Sequence, residues 1–526
     1  MEHFKITFKP DGSEISIHAG ATILDAAGQA GIILNTVCGG KGLCRKCLVN
    51  IEPAHQQVRA CQYRIQSDLV VTIPLTSRFF EQKILTCGID AQSQIQPDIY
   101  QKYLQIAPDK RIFGLAVDIG TTTVVANLID MTNGTSLATQ ADTNPQTQFG
   151  DDVISRIAYA RTDEGLTELQ KVITDCINGL LAGCCEKAAV DADRIYEVCI
   201  VGNTTMNHIF LGLPVEQLGR APYRAFNLEA KDTPAKQTAL GINPAGNIHT
   251  VENIAGFVGA DTVAVALAAG IGSAEEMSLI IDIGTNGELV LGTSDRLYAV
   301  SCAAGPALEG ARISCGSRAA EGAIEAVVVN NGDIVLDVIG GTPARSLCGS
   351  GLIDAVAVLL DLGIIDSTGR FTEPQKLRHQ LSANILSRIT EQNGQPAFIL
   401  ASGGQKVVLT QQDIRQMQLA KAAIRAGIRL LQKKIGIEDN DTKHIFLAGA
   451  FGNYIRVESA LRVGLLPAVP AERIHFVGNA ASSGAQIILV SSHLRKLAGD
   501  LARRIEYVEI AHQPDFQAVF ADCMSF

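Results

Sequence analysis

The chain has 526 residues, a formal charge of −10 at pH 7 and a sequence pI near 5.5. Its length predicts several domains with buried cores, and its acidic balance, without any Lys/Arg-rich run, argues against nucleic acid as a partner. The N-terminus lacks a signal-peptide pattern, and no apolar run approaches the roughly 18 residues of a membrane span. We therefore expect a cytoplasmic protein that does not enter a membrane.

The first 78 residues predict a small α+β domain, because short alternating strands and one helix surround a glycine-rich loop. The predicted strands cover 4–8, 15–17, 47–51 and 69–73, and the helix covers 23–31. Residues 79–110 are polar and rich in glutamine, with Pro97 and Pro108, which indicates a linker.

Four of the thirteen cysteines lie in this first domain, at Cys38, Cys44, Cys47 and Cys61. The first three form a C-x5-C-x2-C pattern among glycines, which let a loop wrap tightly and aim N–H groups at sulfur. Thiolates arranged in this way favour a [2Fe–2S] cluster. A zinc site is the alternative, since four thiolates also satisfy tetrahedral Zn²⁺, although zinc ribbons usually pair two C-x2-C knuckles and the chain has one.

This segment resembles [2Fe–2S] ferredoxins over residues 1 to about 78, and the resemblance implies a β-grasp fold. The chain between Cys47 and Cys61 is shorter than the corresponding part of most ferredoxins, so Cys87 is a second candidate for the fourth ligand. We favour Cys61, because a polar stretch and the closing strand follow it, as they follow the fourth ligand of ferredoxins.

From residue 111 onward, continuous apolar strands alternate with Ala/Leu-rich helices, which predicts an α/β domain with a sheet buried on both faces. One sequence motif occurs twice. An apolar strand ends in Asp118-Ile-Gly-Thr, another ends in Asp282-Ile-Gly-Thr, and a return strand follows each. The repeat predicts two related lobes, at about 111–275 and 276–526.

Both repeats have the composition of a phosphate-binding turn. A carboxylate at a strand end can hold hydrated Mg²⁺, and the following Gly-Thr turn offers backbone donors to phosphate oxygens. A third strand-then-glycine segment, 445–453, would let a helix approach adenosine. A turn-capping role for the two aspartates is the structural alternative.

Together the three segments resemble the phosphate-1, phosphate-2 and adenosine motifs of the actin/sugar-kinase/Hsp70 (ASKHA) superfamily, which implies a duplicated ribonuclease H-like ATPase. On this resemblance Asp118 and Asp282 would position Mg²⁺ and the reacting groups of ATP. The residues implied to cradle phosphate or line the adenosine side are Gly120, Thr121, Thr122, Gly284, Thr285, Asn286, Gly449, Ala450 and Gly452.

The whole chain resembles the reductive activators of corrinoid enzymes, through this domain order and four further segments: VGNTTM (201–206), AGFVGAD (255–261), AGPALEG (304–310) and CGSGLID (348–354). The resemblance implies an ATP-hydrolysing protein that passes one low-potential electron to cob(II)alamin on a corrinoid protein or methyltransferase. It implies an upstream electron donor, with a homodimer as one candidate assembly. Some relatives hold a further middle domain, for which residues 79–110 leave no room.

Other functional classes fit parts of the sequence. A small-molecule kinase with a redox-sensing ferredoxin domain would use the same phosphate loops. A radical-type activator of a dehydratase would bind a [4Fe–4S] cluster between subunits, which the four N-terminal cysteines argue against. A binding module without catalysis is disfavoured by the paired phosphate loops.

Overall fold

The structure is a computed structural model. It describes residues 2–9, 12–30, 32, 34, 47–74, 77, 102–103, 105, 111–284, 286–330, 332–403, 405–449, 455–511 and 513–526. Most of the predicted linker therefore lies outside the described residues. No helix within these ranges is both long and apolar enough to cross a bilayer.

The N-terminal domain is a five-stranded mixed sheet with strand order β2-β1-β5-β3-β4. Strands β1 and β5 run parallel at its centre and the other pairs are antiparallel, which is a β-grasp arrangement. Alternate residues of β1, Ile6 and Phe8, lie in its core with Ile23 of the helix. The elements are His3–Lys9 (β1), Ser13–His18 (β2), Ile23–Gln29 (α1), Leu48–Glu52 (β3), Gln56–Arg59 (β4) and Leu69–Thr72 (β5).

The first lobe is built on a six-stranded sheet with strand order β10-β11-β9-β6-β7-β8. Strands β6, β7 and β8 form an antiparallel meander, and β9 and β11 then add in parallel beside β6. The elements are Phe113–Ile119 (β6), Thr123–Asp130 (β7), Thr135–Thr143 (β8), Val153–Tyr159 (α2), Asp163–Ala188 (α3), Ile195–Gly202 (β9), Thr204–Phe210 (α4), Lys231–Pro234 (β10), Asn247–Thr250 (β11) and Ala260–Ala269 (α5).

The second lobe repeats this topology with strand order β22-β21-β12-β13-β14-β23 and adds two three-stranded sheets, β15 to β17 and β18 to β20. Its strands are Ser278–Ile283 (β12), Gly287–Gly292 (β13), Leu297–Cys302 (β14), Ala323–Asn330 (β15), Asp333–Val338 (β16), Ser346–Leu347 (β17), Ile389–Gln392 (β18), Gln395–Ala401 (β19), Val407–Thr410 (β20), His444–Ala448 (β21), Ile474–Gly478 (β22) and Ile505–Tyr507 (β23). Its helices are Gly349–Asp361 (α6), Pro374–Leu377 (α7), Ala383–Leu386 (α8), Gln411–Ile435 (α9), Val457–Arg462 (α10), Ala480–Val490 (α11), Ser492–Arg504 (α12) and Phe516–Asp522 (α13).

The two large sheets confirm the predicted duplication. In each, a three-stranded meander is followed by two parallel strands on the side of its first strand, β9 and β11 in one lobe and β21 and β22 in the other. Helices α5 and α11 pack together between the sheets, with Gly484 so close to Ala264 that a Cβ at position 484 would lie 2.2 Å from the Ala264 carbonyl oxygen. The two lobes therefore share one apolar core.

The ferredoxin-like domain touches the second lobe through two histidines. His3 and His18 lie opposite each other on β1 and β2. Their Nε2 atoms lie 2.9 and 3.7 Å from the two carboxylate oxygens of Asp337 on β16, a side chain that is only 5% exposed. A carboxylate enclosed to this degree depends on polar partners, and here the hydrogen bond with His3 and the nearby imidazole of His18 both come from another domain.

We expect Asp337→Asn to loosen this contact, because the neutral amide makes a weaker hydrogen bond with His3 than the carboxylate does and carries no charge beside His18. Losing about 1 kcal/mol of charged hydrogen bonding should raise the modification rate of His3 by diethyl pyrocarbonate about fivefold. Mass spectrometry of the modified peptides gives the rate, and the exposed His55 of the same domain is the internal control. Equal acceleration at His3 and His55 would point to general unfolding instead.

Candidate functional site: a thiol pair and a carboxylate-lined cleft

Two of the predicted cluster ligands meet in the core of the N-terminal domain. Cys47 immediately precedes β3, Cys61 follows β4, and their sulfurs lie 3.4 Å apart. The Ala60 N–H donates to the Cys47 carbonyl at 2.9 Å, which fixes the two chain segments side by side. Both side chains are buried.

This separation fits two thiolates on one metal. A disulfide would bring the sulfurs to about 2.0 Å, whereas two ligands at about 2.3 Å from a tetrahedral ion lie nearly 3.8 Å apart. Cys38, Cys44 and the alternative ligand Cys87 lie outside the described residues. The pair Cys47 and Cys61 is therefore compatible with a shared iron, and it supports Cys61 as the fourth ligand.

The two predicted aspartates occupy equivalent positions in the two lobes. Asp118 is the penultimate residue of β6, and Asp282 is the penultimate residue of β12. Burial, reinforced by the charges of Asp261 and Asp282, raises the pKa of Asp118 to about 8, although Asn479 donates a hydrogen bond to it. Burial and the charge of Asp261 raise the pKa of Asp282 to about 7. The duplicated strands thus bring both carboxylates close together where the two lobes meet, and we call this region the cleft.

Two further carboxylates at this cleft were not among the site residues predicted from the sequence. Asp261 lies in the first turn of α5, and burial raises its pKa to about 6. Glu288 lies on β13, where burial and the charges of Asp261 and Asp282 raise its pKa well above the ordinary value. A carboxylate opening an otherwise apolar helix, Ala-Asp-Thr-Val-Ala, was the available signal for Asp261.

These four carboxylates supply the kind of oxygen ligands that Mg²⁺ takes. No lysine or arginine among the described residues lowers the pKa of Asp118, Asp261 or Asp282. No three metal-ligating side chains of the described ranges converge on one ion position. Mg²⁺ commonly uses one or two carboxylates and completes its shell with water and phosphate oxygens, so this donor set fits a nucleotide-bound ion.

The first predicted phosphate loop, hereafter the first phosphate loop, is a tight turn between β6 and β7. The Gly120 N–H donates to the Thr123 carbonyl at 3.0 Å, and a Cβ at position 120 would lie 2.6 Å from that oxygen. Glycine is therefore required by close approach of the backbone. Thr121 and Thr122 form the tip of the turn.

The structure describes part of the predicted second phosphate loop and part of the predicted adenosine segment. The Gly284 N–H donates to the Asn286 carbonyl at 3.0 Å in the turn between β12 and β13. Gly449 follows β21 with φ +89°, and a Cβ there would lie 2.7 Å from Asp282 Oδ1. The third predicted segment thus reaches the second aspartate, whereas Thr285, Ala450 and Gly452 lie outside the described residues.

The raised pKa values predict how stability depends on pH. Between about pH 4, where carboxyls of the unfolded chain titrate, and about pH 8, the folded protein holds more protons than the unfolded chain, so stability falls as pH rises. We expect the melting temperature of the nucleotide-free protein to fall by about 4 °C or more between pH 5.5 and 8. Thermal unfolding of Asp118→Asn should show a smaller fall.

The matched control is Asp142→Asn, which alters an exposed carboxylate on β8. Its pH profile should match that of the unsubstituted protein. An Asp118→Asn profile as steep as the unsubstituted one would contradict the proposed charge repulsion in the cleft.

Three family models match consecutive parts of the chain. They describe a 2Fe-2S iron-sulfur cluster binding domain at residues 4–74, the RACo middle region at 113–274, and the C-terminal ASKHA domain of RACo at 276–526. The region that the family calls its middle is the part of this chain that forms the first six-stranded sheet, so the expectation that the chain has no room for a middle domain is wrong.

Several known proteins are similar over most of the chain. The corrinoid activation enzyme RamQ of Eubacterium limosum is 34% identical over 96% of both chains. A [Co(II) methylated amine-specific corrinoid protein] reductase of Methanosarcina barkeri is 26% identical over 75% of this chain and 73% of its own. The solved structure of a reductive activator for a corrinoid, iron-sulfur protein is 30% identical, covers 99% of this chain and 98% of its own, and superposes with a TM-score of 0.71. This chain therefore belongs to the family of reductive activators of corrinoid enzymes, in which a [2Fe–2S] domain precedes an ASKHA-type ATPase domain.

Proposed function

We propose that this protein is an ATP-dependent reductive activator that passes one electron from a [2Fe–2S] cluster to cob(II)alamin on a corrinoid protein or cobalamin-dependent methyltransferase, which restores cob(I)alamin. The observation that carries the proposal is the union, in one chain, of a thiol pair spaced for a shared metal and a two-lobed cleft lined by carboxylates. An upstream donor resupplies the electron.

In this proposal the cysteines hold the electron carrier. Cys38, Cys44, Cys47 and Cys61 would hold the cluster, and the sulfurs of the buried pair Cys47 and Cys61 lie close enough to bind it together. When bound, the cluster supplies a single low-potential electron, near about −400 mV for the plant type. Burial of both thiols keeps water away from the sulfurs.

The cleft binds ATP with Mg²⁺. Asp118 and Asp282 hold the ion and orient the reacting groups, and Asp261 and Glu288 complete the negative lining. Backbone donors of Gly120, Thr121, Thr122, Gly284, Thr285 and Asn286 cradle phosphate, and Gly449, Ala450 and Gly452 line the adenosine side. Nucleotide bound between the lobes can move them relative to each other about the apolar core that they share.

Nucleotide is needed because the electron transfer is uphill. For one electron, each 59 mV of unfavourable potential lowers the equilibrium constant tenfold, or about 1.4 kcal/mol. A ligand can offset this only by favouring a state in which the acceptor is easier to reduce. We propose that ATP binding or hydrolysis shifts the lobes and reshapes the docked corrinoid protein.

The test is an anaerobic mixture of the purified protein, a reductant, ATP and a methyltransferase loaded with cob(II)alamin. Appearance of the cob(I)alamin absorbance only when ATP is present is the expected result. Omitting the protein, or replacing ATP with AMP, gives the controls. Phosphorylation of a metabolite without cobalt reduction would replace this proposal with the small-molecule kinase.

A further inference from the structure

The side chain of Arg156 is fully buried behind the first phosphate loop. Arg156 lies on α2 with no exposed surface. Its Nη2 donates to the Thr121 carbonyl at 2.6 Å, and its Nε donates to the Gly150 carbonyl at 2.9 Å. Its Nη1 lies 3.4 Å from Gln146 Oε1 and 3.3 Å from Met206 Sδ. One guanidinium thus ties the loop tip to its supporting segments.

Two asparagines hold the same loop. Asn144 Nδ2 donates to the Gly120 carbonyl at 2.8 Å, and the Asn144 N–H donates to the Thr122 carbonyl at 2.8 Å. Asn203 Nδ2 donates to the hydroxyl of Thr121 at 3.0 Å. Three consecutive carbonyls, from Gly120 to Thr122, are therefore turned toward the protein interior.

Because the carbonyl and the N–H of a trans peptide group point in opposite directions, these contacts also determine where the N–H groups of the loop point. Both peptide bonds at the loop tip are trans, so the N–H of Thr121 points opposite to the Gly120 carbonyl, and the N–H of Thr122 opposite to the Thr121 carbonyl. Among the described residues neither N–H has a hydrogen-bond partner. Donation to a carbonyl also polarises the N–H of the same peptide group. Both N–H groups are thus directed away from Arg156 and Asn144.

The charge of Arg156 is not balanced by direct contact with a carboxylate. All four of its partners are neutral, and within the described ranges no carboxylate oxygen lies within 4.0 Å of it, since Asp151 and Asp152 act only at longer range. Burial lowers its pKa only to about 10, so it is a cation at neutral pH. A buried cation without a contacting anion is costly, unless an anion arrives when the protein works.

We propose that Arg156 is a positioning residue for nucleotide binding: it fixes the first phosphate loop with the N–H groups of Thr121 and Thr122 facing the cleft, and its buried charge favours a polyphosphate there. This deepens the proposed function and rests on it in one respect, that ATP occupies the cleft. Arg156 touches no reacting atom and acts through the loop.

Binding of Mg²⁺ with adenylyl imidodiphosphate, measured by calorimetry for Arg156→Lys and Arg156→Met, tests the proposal. Lysine keeps the charge but lacks the several N–H donors of the guanidinium, so we expect about tenfold weaker binding of the analogue. Methionine lacks both the charge and the donors and should weaken binding about a hundredfold. Binding of AMP, which lacks the outer phosphates, should change less than twofold. Binding of the triphosphate analogue within twofold of the unsubstituted protein in both variants would overturn the proposal.

Arg495→Lys is the matched control, because Arg495 is also a largely buried arginine but pairs with Glu197 at 3.0 Å on the far side of the first sheet. It should lose stability without losing selectivity for the triphosphate. Should the Arg156 variants fail to fold, Asn144→Ser provides the second variant. Serine preserves the cap at the Gln146 N–H but is too short to reach the Gly120 carbonyl, and we expect about tenfold weaker analogue binding; unchanged binding would overturn the proposal.

Nucleotide binding by the unsubstituted protein distinguishes a failure of the proposed function from a failure of the inference about Arg156. If it binds no nucleotide, the proposed function fails before the inference is reached. If it binds the analogue and the Arg156 variants bind equally well, the inference alone fails.

Discussion

Asp282→Asn is expected to slow ATP-dependent cobalt reduction by about 10²- to 10³-fold, while the visible absorbance of the ferredoxin domain stays unchanged. Asp282 is the penultimate residue of β12 and lies beside Gly449, where its carboxylate shares the cleft with Asp118 and Asp261. The amide keeps the shape of the side chain but removes the charge that Mg²⁺ requires. Rates of cob(I)alamin formation and of ATP hydrolysis, measured in parallel, check the prediction.

Asp295→Asn is the control for this substitution, because it makes the same chemical change at an exposed turn between β13 and β14 of the same lobe. It should leave both rates within twofold. Full activity of Asp282→Asn would show that its carboxylate does not position the ion, and the burial of charge in the cleft would then need another explanation.

The fold was predictable because its signals are local. An apolar strand, a carboxylate, a Gly-Thr turn and a return strand occur twice within short windows, and the structure has β6–β7 and β12–β13 at those positions. Strand β4 was missed because its sequence, Gln-Gln-Val-Arg, has little strand preference of its own and owes its conformation to pairing with β3.

The lining of the site was less predictable, because it depends on contacts between segments far apart in the chain. Asp261 reaches the cleft from α5 and Asn479 from the start of α11, and neither residue belongs to either repeat. Arg156 gave no signal at all: an arginine on a short helix ordinarily faces water. Only the packing of α2 behind the first phosphate loop makes it a partner of Thr121.

The two small sheets of the second lobe illustrate the same limit. Strands β15 to β17 interrupt the repeated pattern, and the sequence predicted no role for them. The structure places Asp337 of β16 against His3 and His18, so, among the residues that the structure describes, this insertion is a surface that the ferredoxin-like domain contacts. A domain contact of this kind has no periodic signature, since it joins one residue to two that are distant in the chain.

Cys61→Ser is expected to abolish the [2Fe–2S] cluster, whereas Cys87→Ser should retain it. The reason is that Cys61 lies 3.4 Å from Cys47, a spacing that a single iron can bridge, and serine replaces a soft thiolate with a hard, weakly acidic hydroxyl. Iron and sulfide content and the visible spectrum after anaerobic reconstitution are the measurements. Protein-bound iron should fall to below about a tenth in Cys61→Ser.

The two cysteine variants form a matched pair, because each replaces a single cysteine with serine. The reverse outcome, with the cluster lost in Cys87→Ser and kept in Cys61→Ser, would mean that the two sulfurs in the core are neighbours only through packing. Zinc in place of iron in the unsubstituted protein would sink the electron-transfer proposal itself, since Zn²⁺ has no redox chemistry. The thiol pair and the nucleotide cleft are therefore tested separately: the first decides whether an electron is carried, and the second decides whether ATP drives it.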